Sequence, residues 1–273
     1  MDEISVFGAT GFVGGEYCAQ TNLKPIKIAR ESRMPLSDDS VYFISTTHNY
    51  HVFDDVHKDI DTNLTILVDV LENLKDRKGV FNFISSWFVY GQGNLPAKED
   101  AFCQPKGFYS ITKYAAENLI ESYCNTFNIK YRILRLCNVY GKSDSGVSKK
   151  KNALQFLIDK LRCEEEIGLY EGGDFYRDYM HVEDIARAVD LVIKKGEINQ
   201  IYNIGTGEKI LFSDVINMAR NIIGSSSKVN SIPTPDFHKL VQIKNFYMDT
   251  SKLKNLGFEP KFTLEEGIKT LCH

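Results

Sequence analysis

Tyr109 and Lys113 form the pattern Y-x-x-x-K. On a helix, a spacing of four residues places both side chains on one face. An ammonium group beside a phenol stabilises the phenolate, so Lys113 is expected to lower the pKa of the Tyr109 hydroxyl. That hydroxyl can then act as general acid and base on a hydroxyl or carbonyl group. The pattern alone is weak because both residue types are common, and the alternative interpretation is a surface helix.

Ser86 follows a strand predicted at residues 80–84. Ligands of α/β sheets bind at the carboxyl ends of the strands, which is where this hydroxyl is expected to lie. Ser86 is therefore predicted to bond the same ligand oxygen as Tyr109.

A glycine-rich turn lies between the strand predicted at residues 4–7 and the helix predicted at residues 11–22. Glycine lets the backbone turn sharply and approach a pyrophosphate, and the helix N-terminus offers unpaired N–H groups to it. The alternative is a plain glycine-rich turn, but the strand before it and the helix after it favour a dinucleotide site. The predicted dinucleotide contacts are Gly8, Thr10, Gly11, Phe12, Val13, Gly14, Ser45, Thr46, Tyr109 and Lys113.

The second predicted strand, at residues 26–29, is followed by Arg30, Glu31, Ser32 and Arg33. A carboxylate at this place bonds the 2′-hydroxyl of NAD, whereas an arginine accommodates the 2′-phosphate of NADP. Two guanidinium groups and a hydroxyl suit a phosphate. The sequence therefore favours NADP over NAD, with Arg30, Ser32 and Arg33 as contacts. In the alternative, Glu31 takes the role of the acid and the arginines are solvated.

Strand-like stretches alternate with helical patterns along the first half of the chain. Strands are predicted at residues 4–7, 26–29, 41–44, 80–84, 131–136 and 200–204, and helices at 11–22, 63–75, 109–127 and 184–193. This order predicts an α/β fold with a Rossmann-type, doubly wound parallel sheet.

A smaller C-terminal substrate lobe is expected because the strand and helix rhythm weakens after Gly141. Residues 149–151, three lysines, are predicted to open a further helix. The expected dinucleotide-binding domain comprises residues 1–145 and about 178–206. Residues 146–177 and 207–273 are expected to form the substrate lobe.

The composition is that of an ordinary globular protein and excludes several functions. A formal net charge of −3 gives no reason to expect nucleic acid as a partner. No apolar run approaches membrane-spanning length, and the N-terminus lacks a basic stretch followed by an apolar core. The six cysteines are scattered without a CxxC pair, so a reducing cytoplasm is expected.

Histidines and aspartates cluster between residues 48 and 61 without the spacing of a metal site. They are His48, His51, His57, Asp54, Asp55, Asp59 and Asp61. The prediction is that the histidines lie in loops and that the protein has no metal site.

Six motifs together resemble the extended short-chain dehydrogenase/reductases, in the nucleotide-sugar epimerase/dehydratase family. They are GATGFVG from Gly8, SSWFVYG from Ser85, YSITK from Tyr109, LRLCNVYG from Leu134, RDYMHVEDIARA from Arg177 and YNIGTG from Tyr202. The motifs occur in the order found in the family and extend over most of the chain. The resemblance implies a nucleoside-diphosphate sugar as substrate and a catalytic set of Ser86, Tyr109 and Lys113.

The resemblance also implies two substrate contacts, with Asn138 touching the substrate and Arg177 touching its phosphates. The alternative for Arg177 is a salt bridge to Asp174 or Asp178. Trp87 is a further candidate substrate contact, and the alternative is that its ring fills the core.

Two features depart from the family pattern. Its dehydratases carry Asp-Glu directly after the catalytic hydroxyl, where this chain has Trp87 and Phe88. Neither side chain transfers protons, so 4,6-dehydration is disfavoured. About ten residues separate Arg30 from the strand predicted at residues 41–44, where the family places a helix, a strand and another helix. One edge strand is expected to be missing, which leaves the adenine pocket more open.

Three functions are compatible with these motifs. The first is a nucleotide-sugar epimerase acting at C4 through a transient keto sugar. The second is an NADPH-dependent reductase of a nucleotide-linked 4-keto-6-deoxysugar, and the third is a non-catalytic dinucleotide sensor. The helices predicted at residues 63–75 and 109–127 resemble those that pair in the family's dimer, so a homodimer is expected.

Overall fold

A parallel sheet of six strands forms the centre of the protein in a computed structural model. The structure describes residues 2–142, 144 and 152–273. The helix start predicted at the three lysines, residues 149–151, lies outside the described residues. No helix in the described part of the chain is long and apolar enough to cross a membrane.

The strands and helices alternate through the first half of the chain and then become shorter. The strands are β1 (Glu3–Phe7), β2 (Lys24–Lys27), β3 (Ser40–Tyr42), β4 (Val80–Ser86), β5 (Lys130–Leu136), β6 (Asn138–Tyr140), β7 (Ile167–Tyr170), β8 (Tyr176–Arg177), β9 (Tyr179–His181), β10 (Gln200–Ile204), β11 (Ile210–Leu211) and β12 (Val229–Ile232). The helices are α1 (Phe12–Gln20), α2 (Lys58–Ile60), α3 (Ile66–Glu72), α4 (Phe108–Phe127), α5 (Ala153–Arg162), α6 (Val182–Lys195), α7 (Phe212–Ile223), α8 (Asp236–Val241), α9 (Ser251–Asn255) and α10 (Leu264–Cys272).

The central sheet has the strand order β10-β5-β4-β3-β1-β2, and every neighbouring pair is parallel. The prediction of an α/β fold with a doubly wound parallel sheet is therefore confirmed. The chain order turns back between β1 and β3, and such a reversal opens a crevice at the carboxyl ends of the strands. Strand β2 forms one edge of the sheet, beside β1.

Alternate side chains of each strand pack on opposite faces of the sheet, as the two-residue period of a strand requires. In β1, Ile4 and Val6 join the apolar cluster that contains α6, while Phe7 joins the cluster that contains α3 and α4. In β5, Leu134 packs in the cluster that contains α6, and the adjacent Ile133 packs in the cluster that contains α3 and α4. Helices therefore cover both faces.

A third apolar cluster is built by the smaller elements that follow β5. It joins α5, α7 and α10 through Ile158, Ile216 and Ile268. The two-stranded sheets β11-β8, β12-β7 and β6-β9 lie in the same part of the chain. Strand β10, by contrast, pairs with β5 in the central sheet. The exact domain boundaries stay a prediction.

Several predicted elements differ from the structure in their bounds, among them β2 and the helix predicted at residues 63–75. Strand β2 occupies Lys24–Lys27, two residues earlier than predicted, because its partners on β1 are Glu3 to Val6. The helix predicted at residues 63–75 begins with a π-helical turn, Asp61–Thr65, before α3. The side chain of Asn63 in that turn bonds two other segments, and such turns often occur at functional sites.

Candidate active site

One cavity of about 730 Å³ contains most of the predicted site residues. It lies at the carboxyl ends of the central strands and extends to the smaller elements. Its wall includes Gly8, Thr10, Gly11, Phe12, Val13, Gly14, Ser45, Thr46, Ser86, Trp87, Tyr109, Lys113, Asn138 and Arg177. Residues from six separate parts of the sequence therefore meet at one place.

The glycine turn has the geometry that a dinucleotide requires. Gly8 has a φ of +76°, and the Gly11 N–H donates to the Gly8 carbonyl at 3.0 Å. A Cβ atom on Gly14 would lie 2.3 Å from the Gly8 oxygen, so only glycine fits there. Helix α1 begins at Phe12 without a side-chain cap and without an acidic residue in its first turn. These N–H groups fit a pyrophosphate.

Asn63 ties the segment after β3 to helix α4. Its amide oxygen accepts from the Thr46 N–H at 2.9 Å, and its amide nitrogen donates to the hydroxyls of Thr46 and Thr112 at 2.8 and 2.9 Å. The Ser45 hydroxyl donates to the Thr46 carbonyl at 2.7 Å. Asn63 therefore holds Ser45 and Thr46 beside the helix that carries Tyr109. No motif in the sequence marks this role.

Tyr109 is buried near the start of α4, with its hydroxyl close to those of Ser86 and Ser45. Burial raises the pKa of the Tyr109 hydroxyl above its usual value, and hydrogen bonding with Ser86 and Ser45 opposes that rise. The Ser86 hydroxyl accepts from the Phe88 N–H at 3.3 Å, which orients it. The predicted meeting of Ser86 and Tyr109 is thus present in the structure.

Lys113 lies one helical turn from Tyr109, but its ammonium points elsewhere. The Nζ atom donates to the Ile84 carbonyl at 2.7 Å and lies 4.0 Å from the centroid of the Phe83 ring. Burial lowers the pKa of Lys113 to about 7, and the nearby Glu117 carboxylate opposes that shift. The expectation that Lys113 lowers the Tyr109 pKa stays a prediction, since its ammonium is directed to the Ile84 carbonyl and burial of the phenol raises that pKa.

A buried ion pair lies behind helix α4 and was not predicted. Arg135 Nη2 lies 2.7 Å from Glu117 Oε2, and both side chains are almost fully buried. The Ser85 hydroxyl donates to the other oxygen of Glu117 at 2.5 Å. The pair links helix α4 to strands β4 and β5, so it fixes the position of the helix relative to the sheet.

Trp87 and Phe88 form an aromatic wall of the cavity. The Trp87 ring is stacked between those of Phe88 and Phe246, with centroid distances of 4.0 and 4.7 Å. The Phe88 ring meets the Tyr109 ring edge-on at 5.9 Å. Trp87 is only 3% exposed, so it packs in the core and also lines the cavity.

Arg177 is buried in the cavity wall without a carboxylate partner among the described residues. Its Nη1 atom donates to the carbonyls of Tyr176 and Lys244 at 2.8 and 2.6 Å. The guanidinium carbon lies 4.6 Å from the centroid of the Phe175 ring. Burial lowers the pKa of Arg177 to about 10, and the nearby Tyr179 opposes that shift.

The alternative of a salt bridge for Arg177 is wrong, because both candidate acids have other partners. Asp174 lies 3.6 Å from the ammonium of Lys244. Asp178 accepts hydrogen bonds from the backbone of Thr206 and Gly207, both at 3.0 Å. Neither acid therefore forms an ion pair with Arg177.

Asn138 is fixed by the backbone that precedes β9. Its side-chain amide and its backbone N–H both donate to the Asp178 carbonyl, at 3.0 and 3.1 Å. The Asn138 side chain therefore has a defined orientation beside the cavity.

The three residues predicted to bind a 2′-phosphate lie outside the cavity wall. Arg30 is exposed in the turn after β2, followed by the half-buried Ser32. The Arg33 guanidinium donates to the carbonyls of Arg30 and Ser32 at 2.9 and 3.2 Å, and lies 3.6 Å from Asp69. The structure therefore does not bring these residues together with the residues of the cavity wall.

The histidine-rich segment contains a buried acid that the sequence did not reveal. His51 Nδ1 lies 3.2 Å from Asp59 Oδ1, and the Thr46 hydroxyl donates to the same oxygen. Asp59 is in α2 and fully buried. His51 lies in a short 3₁₀-helix, Asn49–Phe53, so the prediction that the histidines lie in loops is wrong for His51. No group of three metal-binding side chains occurs in the described part of the chain.

The segment after β3 also contacts α8 across the cavity. The Tyr50 hydroxyl lies 3.0 Å from His238 Nδ1, and the rings of Phe53 and Phe237 are 4.6 Å apart. Tyr50 and His238 both line the cavity. Sequence reasoning missed them because they are 188 positions apart.

Comparison with known proteins identifies the family. A sequence profile described as the NAD dependent epimerase/dehydratase family matches residues 37–205, more than half of the chain. A putative UDP-glucose 4-epimerase of Methanocaldococcus jannaschii is 29% identical over 223 residues, covering 79% of this chain and 69% of that protein.

Solved structures share the whole fold. The UDP-glucose 4-epimerase of Thermotoga maritima with UDP-glucose has a TM-score of 0.87 at 22% identity, covering 99% of this chain and 97% of that one. RMD from Pseudomonas aeruginosa, complexed with NADPH, has a TM-score of 0.85 at 20% identity, covering 100% and 98%. The chain belongs to the NAD dependent epimerase/dehydratase family, within the extended short-chain dehydrogenase/reductases.

Proposed function

We propose that the protein epimerises a nucleoside-diphosphate sugar at C4 through a transient 4-keto sugar. The observation that carries this proposal is the meeting of the Ser86 and Tyr109 hydroxyls in a cavity lined by the glycine turn and by Arg177. The family and the similarity to a putative UDP-glucose 4-epimerase support it. A bound nicotinamide supplies hydride acceptance and return at the sugar carbon.

The chain's own residues are proposed to move one proton and hold the sugar. Tyr109 takes the proton from the 4-hydroxyl as it becomes a carbonyl, and returns it when the hydroxyl forms again. Ser86 donates a hydrogen bond to the same oxygen. Lys113 is proposed to bond the nicotinamide ribose, and its buried charge also favours the Tyr109 phenolate during transfer.

The substrate is proposed to lie between Arg177 and Tyr109. Arg177 is already held by two carbonyls through Nη1, so its remaining N–H groups are positioned for the diphosphate. Asn138 donates its amide to the Asp178 carbonyl, which leaves the amide oxygen to accept from a sugar hydroxyl.

The direct test is an epimerisation assay with UDP- and dTDP-linked hexoses, followed by nuclear magnetic resonance. We expect interconversion of the C4 epimers without net reduction of the coenzyme. A pure protein that binds no nicotinamide dinucleotide, or that converts none of the sugars, would contradict the proposal.

The second candidate is an NADPH-dependent reductase of a nucleotide-linked 4-keto-6-deoxysugar. The exposed Arg30 after β2 favours it, as does the fold shared with a protein complexed with NADPH. Stoichiometric NADPH oxidation with a 4-keto substrate distinguishes this reaction from epimerisation, which leaves the coenzyme unchanged overall.

NADP is proposed over NAD, and replacing Arg30 by glutamate tests the choice. We expect the Arg30→Glu protein to lose affinity for NADP by about 10- to 100-fold, because a charge-assisted contact with the 2′-phosphate is replaced by repulsion. Calorimetric titration with both dinucleotides measures the change. Lys27→Glu, which makes the same charge change at the end of β2, is the control. Tighter binding of NAD than NADP by the parent protein would refute the choice.

A homodimer is proposed through α4, where an apolar stripe is exposed. Phe108, Ile111 and Leu119 lie on one face of this helix, and Phe127 at its end and Val68 of α3 are also exposed. A second copy can bury these side chains in an isologous contact. This dimer is proposed to work in the cytoplasm.

Replacing Ile111, which is 48% exposed, by glutamate is expected to dissociate the dimer, since a charge would be buried at its centre. Light scattering after size-exclusion chromatography measures the mass. Leu240→Glu, at an exposed position of α8, is the control. A parent protein that is monomeric at micromolar concentration would refute this interface.

A further inference from the structure

We propose that Trp87 and Phe88 select the sugar, favouring a 6-deoxyhexose over a hexuronate. This inference rests on the proposed function, since it concerns the sugar that reacts at C4. Of the two carbons beside C4, C5 carries the group that differs most among common hexose derivatives. That group is a methyl in a 6-deoxyhexose, a hydroxymethyl in a hexose and a carboxylate in a hexuronate.

Phe88 lies directly beside the position of the reacting oxygen. Its N–H donates to the Ser86 hydroxyl at 3.3 Å, and its ring meets the Tyr109 ring edge-on at 5.9 Å. An oxygen bonded by both hydroxyls therefore places the neighbouring carbons of the sugar against this ring. The group on C5 meets an apolar surface.

The rings of the aromatic wall are held in place by their packing against one another and against Phe246. Trp87 is fixed between Phe88 and Phe246, with interplanar angles of 26° and 29°. Phe246 is itself buried against Tyr90, with ring centroids 5.7 Å apart. Because cores are packed tightly, a shift of one ring would disturb the others. The wall therefore offers C–H and ring surface to the sugar.

The lysines and the arginine that line the described part of the cavity each interact with other groups. Lys113 donates to the Ile84 carbonyl, and Lys160 lies 2.9 Å from Glu165. Arg177 lies beside the wall, with its guanidinium carbon 5.2 Å from the centroid of the Trp87 ring. Its charge neutralises the diphosphate that all candidate substrates share. A carboxylate on C5 would then lie against the wall without a partner, which is costly.

Fluorescence of Trp87 provides the measurement, because it is the single tryptophan of the chain. UDP- and dTDP-linked 6-deoxyhexose, hexose and hexuronate are titrated into the dinucleotide-loaded protein, with calorimetry as a second readout. We expect the 6-deoxyhexose to bind about 10-fold more tightly than the hexose and at least about 100-fold more tightly than the hexuronate.

Two variants of Phe88 test whether the aromatic wall causes the difference in sugar affinity. Phe88→Tyr places a hydroxyl there with little change in shape, and Phe88→Ser opens the wall. Both are expected to reduce the difference between 6-deoxyhexose and hexuronate by about 10-fold. Phe102→Ser, at a position that is 84% exposed, is the matched control and is expected to leave the difference unchanged.

The outcomes separate this inference from the proposed function. If the hexuronate binds as tightly as the 6-deoxyhexose, or if Arg177 rather than Phe88 controls the difference, the selectivity inference fails while the proposed function stands. If no sugar nucleotide binds in either assay, the proposed function fails and the inference fails with it.

Discussion

The Tyr109→Phe protein is expected to turn over its sugar nucleotide about 1,000-fold more slowly than the parent, within the range for loss of a general acid and base. The phenylalanine ring keeps the edge-on packing against Phe88 and loses only the hydroxyl that lies near Ser86 and Ser45. Dinucleotide affinity is expected to fall far less than turnover, since the glycine turn is untouched and only one of the predicted dinucleotide contacts is lost. Steady-state kinetics and calorimetric titration measure the two properties separately.

Tyr114→Phe is the matched control for this experiment. Tyr114 lies on the same helix and is half-buried, but it does not line the cavity. Its replacement should leave turnover unchanged. If Tyr109→Phe also behaved like the parent with every substrate, the sensor hypothesis would be favoured over catalysis.

Replacing Glu117 by leucine is expected to destabilise the protein by about 3–5 kcal/mol. The substitution leaves the Arg135 guanidinium buried without its carboxylate and removes the acceptor of the Ser85 hydroxyl. Such a loss is a large part of the ~5–15 kcal/mol that stabilises a typical domain. Urea denaturation, followed by circular dichroism, measures the free energy of unfolding.

Two comparisons show whether the loss comes from the unpaired charge. Replacing Arg135 by methionine in the Glu117→Leu protein is expected to restore most of the stability, because no charge then remains buried. Glu165→Ala removes the exposed pair with Lys160 and is expected to change stability by less than about 1 kcal/mol. Equal losses for the buried and the exposed pair would contradict this account.

Local patterns predicted the central sheet and the meeting of Ser86 with Tyr109. The glycine turn identified the first strand and helix, because each glycine has a local steric reason. Parallel strands then place their carboxyl ends at one edge, so residues that follow different strands converge there. The convergence of Ser86, Tyr109 and Arg177 follows from this rule together with the resemblance to the family.

The supporting contacts could not be predicted, because they depend on register between distant segments. Nothing near Asn63 indicates that it bonds Thr112, which is 49 residues away. The direction of the Lys113 ammonium depends on which carbonyl of β4 lies opposite the helix. The burial of Asp59 depends on the packing of a short helix that the sequence pattern did not show.

Strand β2 leaves one side of the central sheet open to other polypeptides, since its paired neighbour in the described residues is β1. An unprotected strand of this kind can recruit the backbone of another chain and start aggregation. Here Lys24 and Lys27 are exposed at its two ends, and Pro25 between them lacks an N–H to donate. We expect these three residues to prevent aggregation through this edge of the sheet at high protein concentration.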